Sequence, residues 1–361
     1  MLFDEDFVQL VKTSDMQSTV AALLTHGKGI LAMDESFRTI EKRLKAASIP
    51  ATDENRRAYR ELLATTPGLN DFISGVILFD ETIREWTMRG MTIPEILHQQ
   101  GIIPGIKVDK GAVPMANFPG ERLTQGLDDL RERLAEYYAL GARFTKWRAV
   151  FTVGEGTPTN ACIESNARML AIFASLSQEA GLVPIVEPEV LMDGNHTIER
   201  CEQIIYVTLR TVFDALFEHR VVLENMLLKT GMVLAGTDCP DQADLDLVSE
   251  RTLRCLARAV PVAVPGIVFL SGGQEAGIAT QRLNAICRAS NGPWTLTFSF
   301  GRALQEPALN VWKGNRVNID AAQEALHERA RDNSLAVQGT YAPTALPGEI
   351  FINNQNRTET V

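Results

Sequence analysis

The sequence predicts an α/β fold: a (β/α)8 TIM barrel of eight parallel strands, with an N-terminal helical segment ahead of it and a mobile C-terminal tail behind. Three observations carry that expectation. Eight short apolar bursts recur along the chain, longer helical patterns separate several of them, and no Gly-rich GxGxxG turn follows the first burst, as an open nucleotide-binding sheet would require. The bursts occupy 29–36, 75–81, 104–110, 143–151, 182–190, 225–233, 266–273 and 294–301. Three of the intervening helices are explicit. Residues 127–142 place Leu127, Leu130, Leu134, Tyr137 and Tyr138 on one face, 160–181 open on Asn160 as a cap and close on Gly181, and 241–260 repeat Leu245, Val248, Leu253, Leu256 and Val260 at helical spacing. Strand–helix alternation makes each strand parallel to the last, and eight units close a barrel. The domain is expected to span 1–333, with 334–361, rich in Pro, Gly and Asn, as a flexible tail.

Composition sets outer limits. The 361 residues are 45% hydrophobic and 22% charged, with a net charge of −10 and no long run of either sign. That balance speaks against nucleic-acid binding, and no apolar run approaches the ~20 residues of a membrane span. The five cysteines are widely spaced without a CxxC pair, and the first residues carry no basic-then-apolar leader. Both features fit reduced thiols and a cytoplasmic protein. The five histidines form no HxH or HxxxH pair, so no metal site is expected.

The polar residues sit late in the bursts or just after them: Asp34, Lys107, Asp109, Lys146, Arg148, Glu187, Glu189, Lys229, Ser271 and Arg302. Residues two apart on a strand share a face. Lys146 with Arg148, Glu187 with Glu189, and Lys107 with Asp109 therefore point the same way, and helices cover the outside of a parallel sheet. A polar cluster inside the barrel mouth follows.

Lys229 lies in the apolar run Met226–Val233. Burial disfavours a charged amine, and a second cation disfavours it further. Lys146, two strands away, is the candidate for that second charge. An amine so placed suits attack on a carbonyl to form a Schiff base. Glu187, with a raised pKa, is the candidate for the accompanying proton transfers; it and Glu189 could equally serve to neutralise Lys146 and Arg148. Asp34 either holds the amine or a substrate hydroxyl, or caps the following helix. Two stretches are suited to phosphate. Ser271, Gly272 and Gly273 form a turn between strand and helix, and Gly301 and Arg302 end the next strand. After the first strand, Ser36, Arg38, Lys42 and Arg43 stand near the opposite rim, where Lys42 and Arg43 could also be a solvated helix face.

With these residues in view, the chain resembles class I fructose-1,6-bisphosphate aldolase, the metal-independent, Schiff-base family, from about residue 6 to 345. KGILAMDES, GIKVDKG, TKWRAV, PIVEPEVL, LLKTGMV, FLSGGQ and GRALQ occur in order. The resemblance implies an imine at Lys229, acid–base work by Glu187, orientation by Asp34, and charge tuning by Lys146 and Glu189. It also implies pocket roles for Lys107 and Arg148. Ser271, Gly272, Gly301 and Arg302 match the C1-phosphate site, and Ser36, Thr39, Lys42 and Arg43 the C6-phosphate site. A phosphorylated sugar substrate, no cofactor, a homotetramer and a role in glycolysis and gluconeogenesis are implied as well. Another phosphorylated-sugar aldolase and a catalytically idle scaffold are the competing readings.

The sequence departs from the family pattern in four places, one being the loop after Gln274, which continues Glu275-Ala276-Gly277 and is shorter than the family's acidic stretch. Phe37-Arg38 replace a small pair after Ser36, Thr230-Gly231 follow the lysine where Pro-Asn is common, and the chain ends FINNQNRTETV without the terminal tyrosine that assists enamine protonation. Tyr341 matches a tail position but is no obvious substitute. Slower enamine protonation is expected, with cleavage intact.

Overall fold

The computed structural model describes residues 5–88 and 90–343. Its strands are β1 (Gly29–Met33), β2 (Ile73–Leu78), β3 (Ile103–Lys107), β4 (Gly111–Pro114), β5 (Arg122–Gln125), β6 (Phe144–Phe151), β7 (Val183–Val190), β8 (Leu227–Thr230), β9 (Gly266–Phe269) and β10 (Thr295–Phe300). Eight of them close a barrel in the order β1-β10-β9-β8-β7-β6-β3-β2, with parallel pairing, while β4 and β5 form a separate antiparallel hairpin. Every expected burst overlaps a barrel strand, β2 and β3 beginning two residues and one residue ahead of theirs. Several bursts ran too far at their C-terminal ends: Asp34, Asp109 and Ser271 lie just past their strands, and Arg302 opens a helix. There the barrel ladder stops and the chain leaves toward a helix or, after Asp109, toward the β4–β5 hairpin.

The helices are α1 (Glu5–Leu23), α2 (Phe37–Ala46), α3 (Asp53–Ala64), α4 (Asp80–Arg84), α5 (Ile93–Gln99), α6 (Leu130–Ala139), α7 (Asn160–Glu179), α8 (Ile198–Glu218), α9 (Leu245–Ala259), α10 (Ala276–Ala289), α11 (Arg302–Trp312) and α12 (Ile319–Val337). The helix expected from Asn160 is capped one residue earlier, by Thr159, whose hydroxyl accepts from Cys162 N. α12 runs on to Val337 with Ser334 and Ala336 buried, so regular structure continues past the boundary expected at 333. Most of the expected tail, 344–361, lies outside the described residues. No helix among the described residues is long and apolar enough to cross a membrane.

Two apolar layers hold the fold. Leu31, Met33, Trp147, Val186, Leu228 and Phe269 face outward against the helices. Ile30, Ala32, Ile77, Phe144, Ile185, Leu227 and Val268 fill the barrel, and Met16, Val20 and Leu23 of α1 pack onto them from below. The expected N-terminal helix is thus the plug of the barrel's N-terminal end. Phe144 fits because Gly105 leaves room: a Cβ there would stand 2.3 Å from its ring. The plugged floor makes the opposite, C-terminal mouth the open end. The Gly105→Ala variant is expected to lower the unfolding free energy by roughly 1–3 kcal/mol through overpacking. Shortening the ring with Phe144→Leu should recover part of that loss in urea titrations.

Candidate active site

The register of the strands builds the site. Arg148 pairs in register with Glu187, and Lys146 with Ile185, one inward layer deeper. Val186 pairs with Leu228, so Glu187 and Lys229 follow at the same height on neighbouring strands. The long Lys146 side chain rises from below to meet them. The result is a chain of alternating charge. Lys229 Nζ is 3.1 Å from Glu187 Oε1, Lys146 Nζ is 3.0 Å from Glu187 Oε2, and Lys146 Nζ is 2.6 Å from Asp34 Oδ2 across the mouth. Lys229, Glu187 and Lys146 are each only 3% exposed. Glu187 Oε2 is buried and makes no aligned hydrogen bond among the described residues, only the ion-pair contact with Lys146.

This arrangement changes two electrostatic expectations. Glu187 does not carry a raised pKa in the resting site. Burial pushes it up, but Lys146, Lys229 and Arg148 together hold it below the ordinary range. Asp34 is held low against burial by Lys146, Lys229 and Lys107. Lys146 in turn is held above the usual lysine range against burial by Asp34 and Glu187. The second cation expected to crowd Lys229 is therefore compensated by two carboxylates. Asp34 serves this pairing and does not cap α2, whose cap is Ser36.

Around this chain lies a cavity of about 1390 Å³, and all fifteen site residues singled out from the sequence line it. Lys107 pairs with Asp109 at 2.5 Å, and Arg148 pairs with Glu189. Gly272 and Gly273 both have positive φ, 58° and 107°, so the turn bearing their amides suits glycine. The Arg302 guanidinium comes within 3.3 Å of where a Cβ on Gly273 would stand. Ser36 makes no side-chain cap bond, and its hydroxyl lies 3.2 Å from that of Thr39. Lys42 also faces the cavity.

One placement differs from expectation. The loop after β1 is not on the rim opposite Gly301, because closing the ring makes β1 the neighbour of β10. Arg43 Nη2 comes to 3.9 Å from the Cβ position of Gly301. Glu35 directs it there. This buried carboxylate, given no role from the sequence, ion-pairs with Arg43 and Arg60 and accepts from Gln305 Nε2 at 2.8 Å. Its only sequence signal was an acid beside Asp34. The strands that stand opposite β9 and β10 are β3 and β6, which carry Lys107 and Arg148. Tyr341 packs outside the barrel, its amide donating to Asn284 Oδ1 at 3.0 Å.

Comparison with known proteins agrees with this geometry. The family model for fructose-bisphosphate aldolase class-I matches residues 15–355. The chain belongs to the class-I fructose-bisphosphate aldolase family. A probable fructose-bisphosphate aldolase class 1 of Xylella fastidiosa is 53% identical over 90% of this chain and 98% of its own. Cytosolic fructose-bisphosphate aldolase 4 of Arabidopsis thaliana is 47% identical over 94% of this chain and 87% of its own. The aldolase of Plasmodium falciparum, solved with TRAP and a small-molecule inhibitor, superposes with a TM-score of 0.91 at 47% identity, over 92% of this chain and 96% of that one. The family relation thus covers the barrel and every strand end of the cavity.

The paired carboxylates give a pH signature. Asp34 and Glu187 lie below their ordinary values when folded. Their contribution to stability is therefore present above about pH 4, the unfolded carboxylate range, and is lost as pH falls through the lower folded values. Urea unfolding across pH 2–7 should show this acid loss. For Asp34→Asn the slope should be shallower by up to about 1.4 kcal/mol per pH unit, one proton's worth.

Proposed function

We propose that this chain cleaves fructose 1,6-bisphosphate reversibly into dihydroxyacetone phosphate and glyceraldehyde 3-phosphate through an imine on Lys229. The observation that carries the reading is the single carboxylate of Glu187 in contact with both Lys229 and Lys146. Lys229 passes its proton across 3.1 Å to Glu187, leaving a neutral amine and a neutral acid. The amine attacks the C2 carbonyl, and a proton moves from nitrogen to oxygen to give the carbinolamine. Loss of the Lys229 charge weakens the field that held Glu187 low, so the carboxyl retains its proton until the hydroxyl leaves. That proton departs with the hydroxyl as water, and an iminium remains. Glu187, again ionised, accepts the C4-hydroxyl proton. The C3–C4 bonding pair then flows into the iminium, giving the aldehyde and an enamine. Protonation at C3 and hydrolysis complete the cycle.

Positioning supplies much of the rate in such a scheme. The C1 phosphate is assigned to Ser271, Gly272, Gly301 and Arg302, with Arg43 drawn toward the same side by Glu35. Ser36, Thr39 and Lys42 flank the approach of the second phosphate, with Lys107 and Arg148 as the cations of the far side. Asp34 and Glu189 keep Lys146 and Arg148 in place. The chain is proposed to work as a homotetramer in the cytoplasm. The family relation and the name of the cytosolic Arabidopsis relative support this, and sizing in solution tests it.

The test is turnover in chelator. The protein should cleave fructose 1,6-bisphosphate in excess EDTA, and with higher kcat/KM than fructose 1-phosphate; failure to cleave either sugar would contradict the reading. Glu187→Gln should lower kcat by about 10²–10⁴ with KM little changed, as for loss of a general acid–base.

A further inference from the structure

We propose that Arg329, far from the reacting carbons, is a positioning residue that holds the two halves of the phosphate cradle at a fixed spacing. This rests on the reading of Ser271–Gly273 and Gly301–Arg302 as a phosphate site. Each half leads into a helix: α10 begins at Ala276, three residues past Gly273, and α11 begins at Arg302 itself. Arg329 on α12 reaches both first turns. Its Nη2 donates to Ala276 O at 2.9 Å and to Thr280 Oγ1, and its Nε donates to Ala303 O at 3.4 Å. Its Nη1 pairs with Asp332 at 3.2 Å, and its side chain is 13% exposed.

The Ala303 carbonyl is open to this donor for a sequence reason. In an α-helix it would accept from the amide of residue 307, which is Pro307 and has none. On the α10 side, Thr280 Oγ1 also lies 3.0 Å from Asn333 Oδ1, and Asn333 Nδ2 donates to Arg329 O at 2.8 Å. The guanidinium is therefore fixed at its base as well as at its tip.

Helix stability alone does not account for the placement. Leu283 and Ile286 of α10, Leu304 and Leu309 of α11, and Leu326 and Ala330 of α12 already join these helices in the apolar layer. A cation near two helix N-termini is electrostatically unfavourable, because those ends carry partial positive charge. What the planar fork adds is a fixed distance between the two turns, which the point charge of a lysine would not impose. That distance matters where the halves touch, at Arg302 against Gly273.

The test is a double-mutant cycle with Arg302, reading KM for fructose 1,6-bisphosphate and the dissociation constant of inorganic phosphate. Arg329→Met is expected to raise both about tenfold with kcat within about twofold, since misplacement of binding groups by even ~1 Å is heavily penalised. In an Arg302→Ala background the same change should add less than about twofold, because the group it positions is gone. A full tenfold effect in both backgrounds, or a fall in kcat at unchanged KM, would overturn the proposal. Arg302→Ala leaving phosphate affinity unchanged would instead sink the phosphate-site reading. If Arg329→Met does not fold, Arg329→Lys carries the test: its single ammonium serves one helix, so KM should rise several-fold. An unchanged KM in that variant counts against the clamp.

Discussion

One carboxylate between two buried amines is the constraint on which the site depends. Removing a charged group from water costs several kcal/mol, and a buried ion persists only among well-placed partners. Here the partners form a run, Asp34–Lys146–Glu187–Lys229, in which each inner member touches two opposite charges. Lys229 is the end of that run, with one partner where the inner groups have two. An amine in that position can give up its proton without stranding a charge, because the proton crosses to the carboxylate that already balanced it. Lys146 then still balances Asp34, the anion of the run that keeps its charge.

The barrel makes this affordable in packing rather than in charge. Phe144 and the plug formed by Met16, Val20 and Leu23 fill the lower layers, so the polar groups are confined to the top one. Register does the fine placement. With Glu187 and Lys229 level on adjacent strands and Lys146 a layer below, only a long side chain at position 146 could complete the run. The cradle for phosphate rests on the same logic one layer out, where loops leave the strands and helices α10 and α11 begin.

Much of this was legible in the sequence, and for physical reasons. Parallel strands covered by helices must be apolar, so a Lys or Glu in such a strand announces the barrel mouth, as Lys146, Glu187 and Lys229 do. Alternation told which of them share a face. What the sequence hid are relations set by closure and by long reach. Nothing local says that β1 abuts β10, and so Arg43 was placed across the mouth from Gly301 when it lies beside it. The sign of the shift at Glu187 was misjudged because it depends on which amines its two oxygens meet. Glu35 and Arg329 were passed over because the contacts that give them their roles, Glu35 to Arg60 and Gln305 and Arg329 to Ala276 and Ala303, span 25 or more residues of chain. Thr159 was missed for a smaller reason: it adjoins another good cap, Asn160, and only the backbone angle separates them.

The most direct measurement is reduction with borohydride in the presence of dihydroxyacetone phosphate, followed by peptide mass spectrometry. The account requires one equivalent of reduced adduct per chain, carried by Lys229, and its loss when Lys229 is replaced by methionine. Adduct on Lys146 or Lys107 in place of Lys229, or no adduct during active turnover, would contradict it.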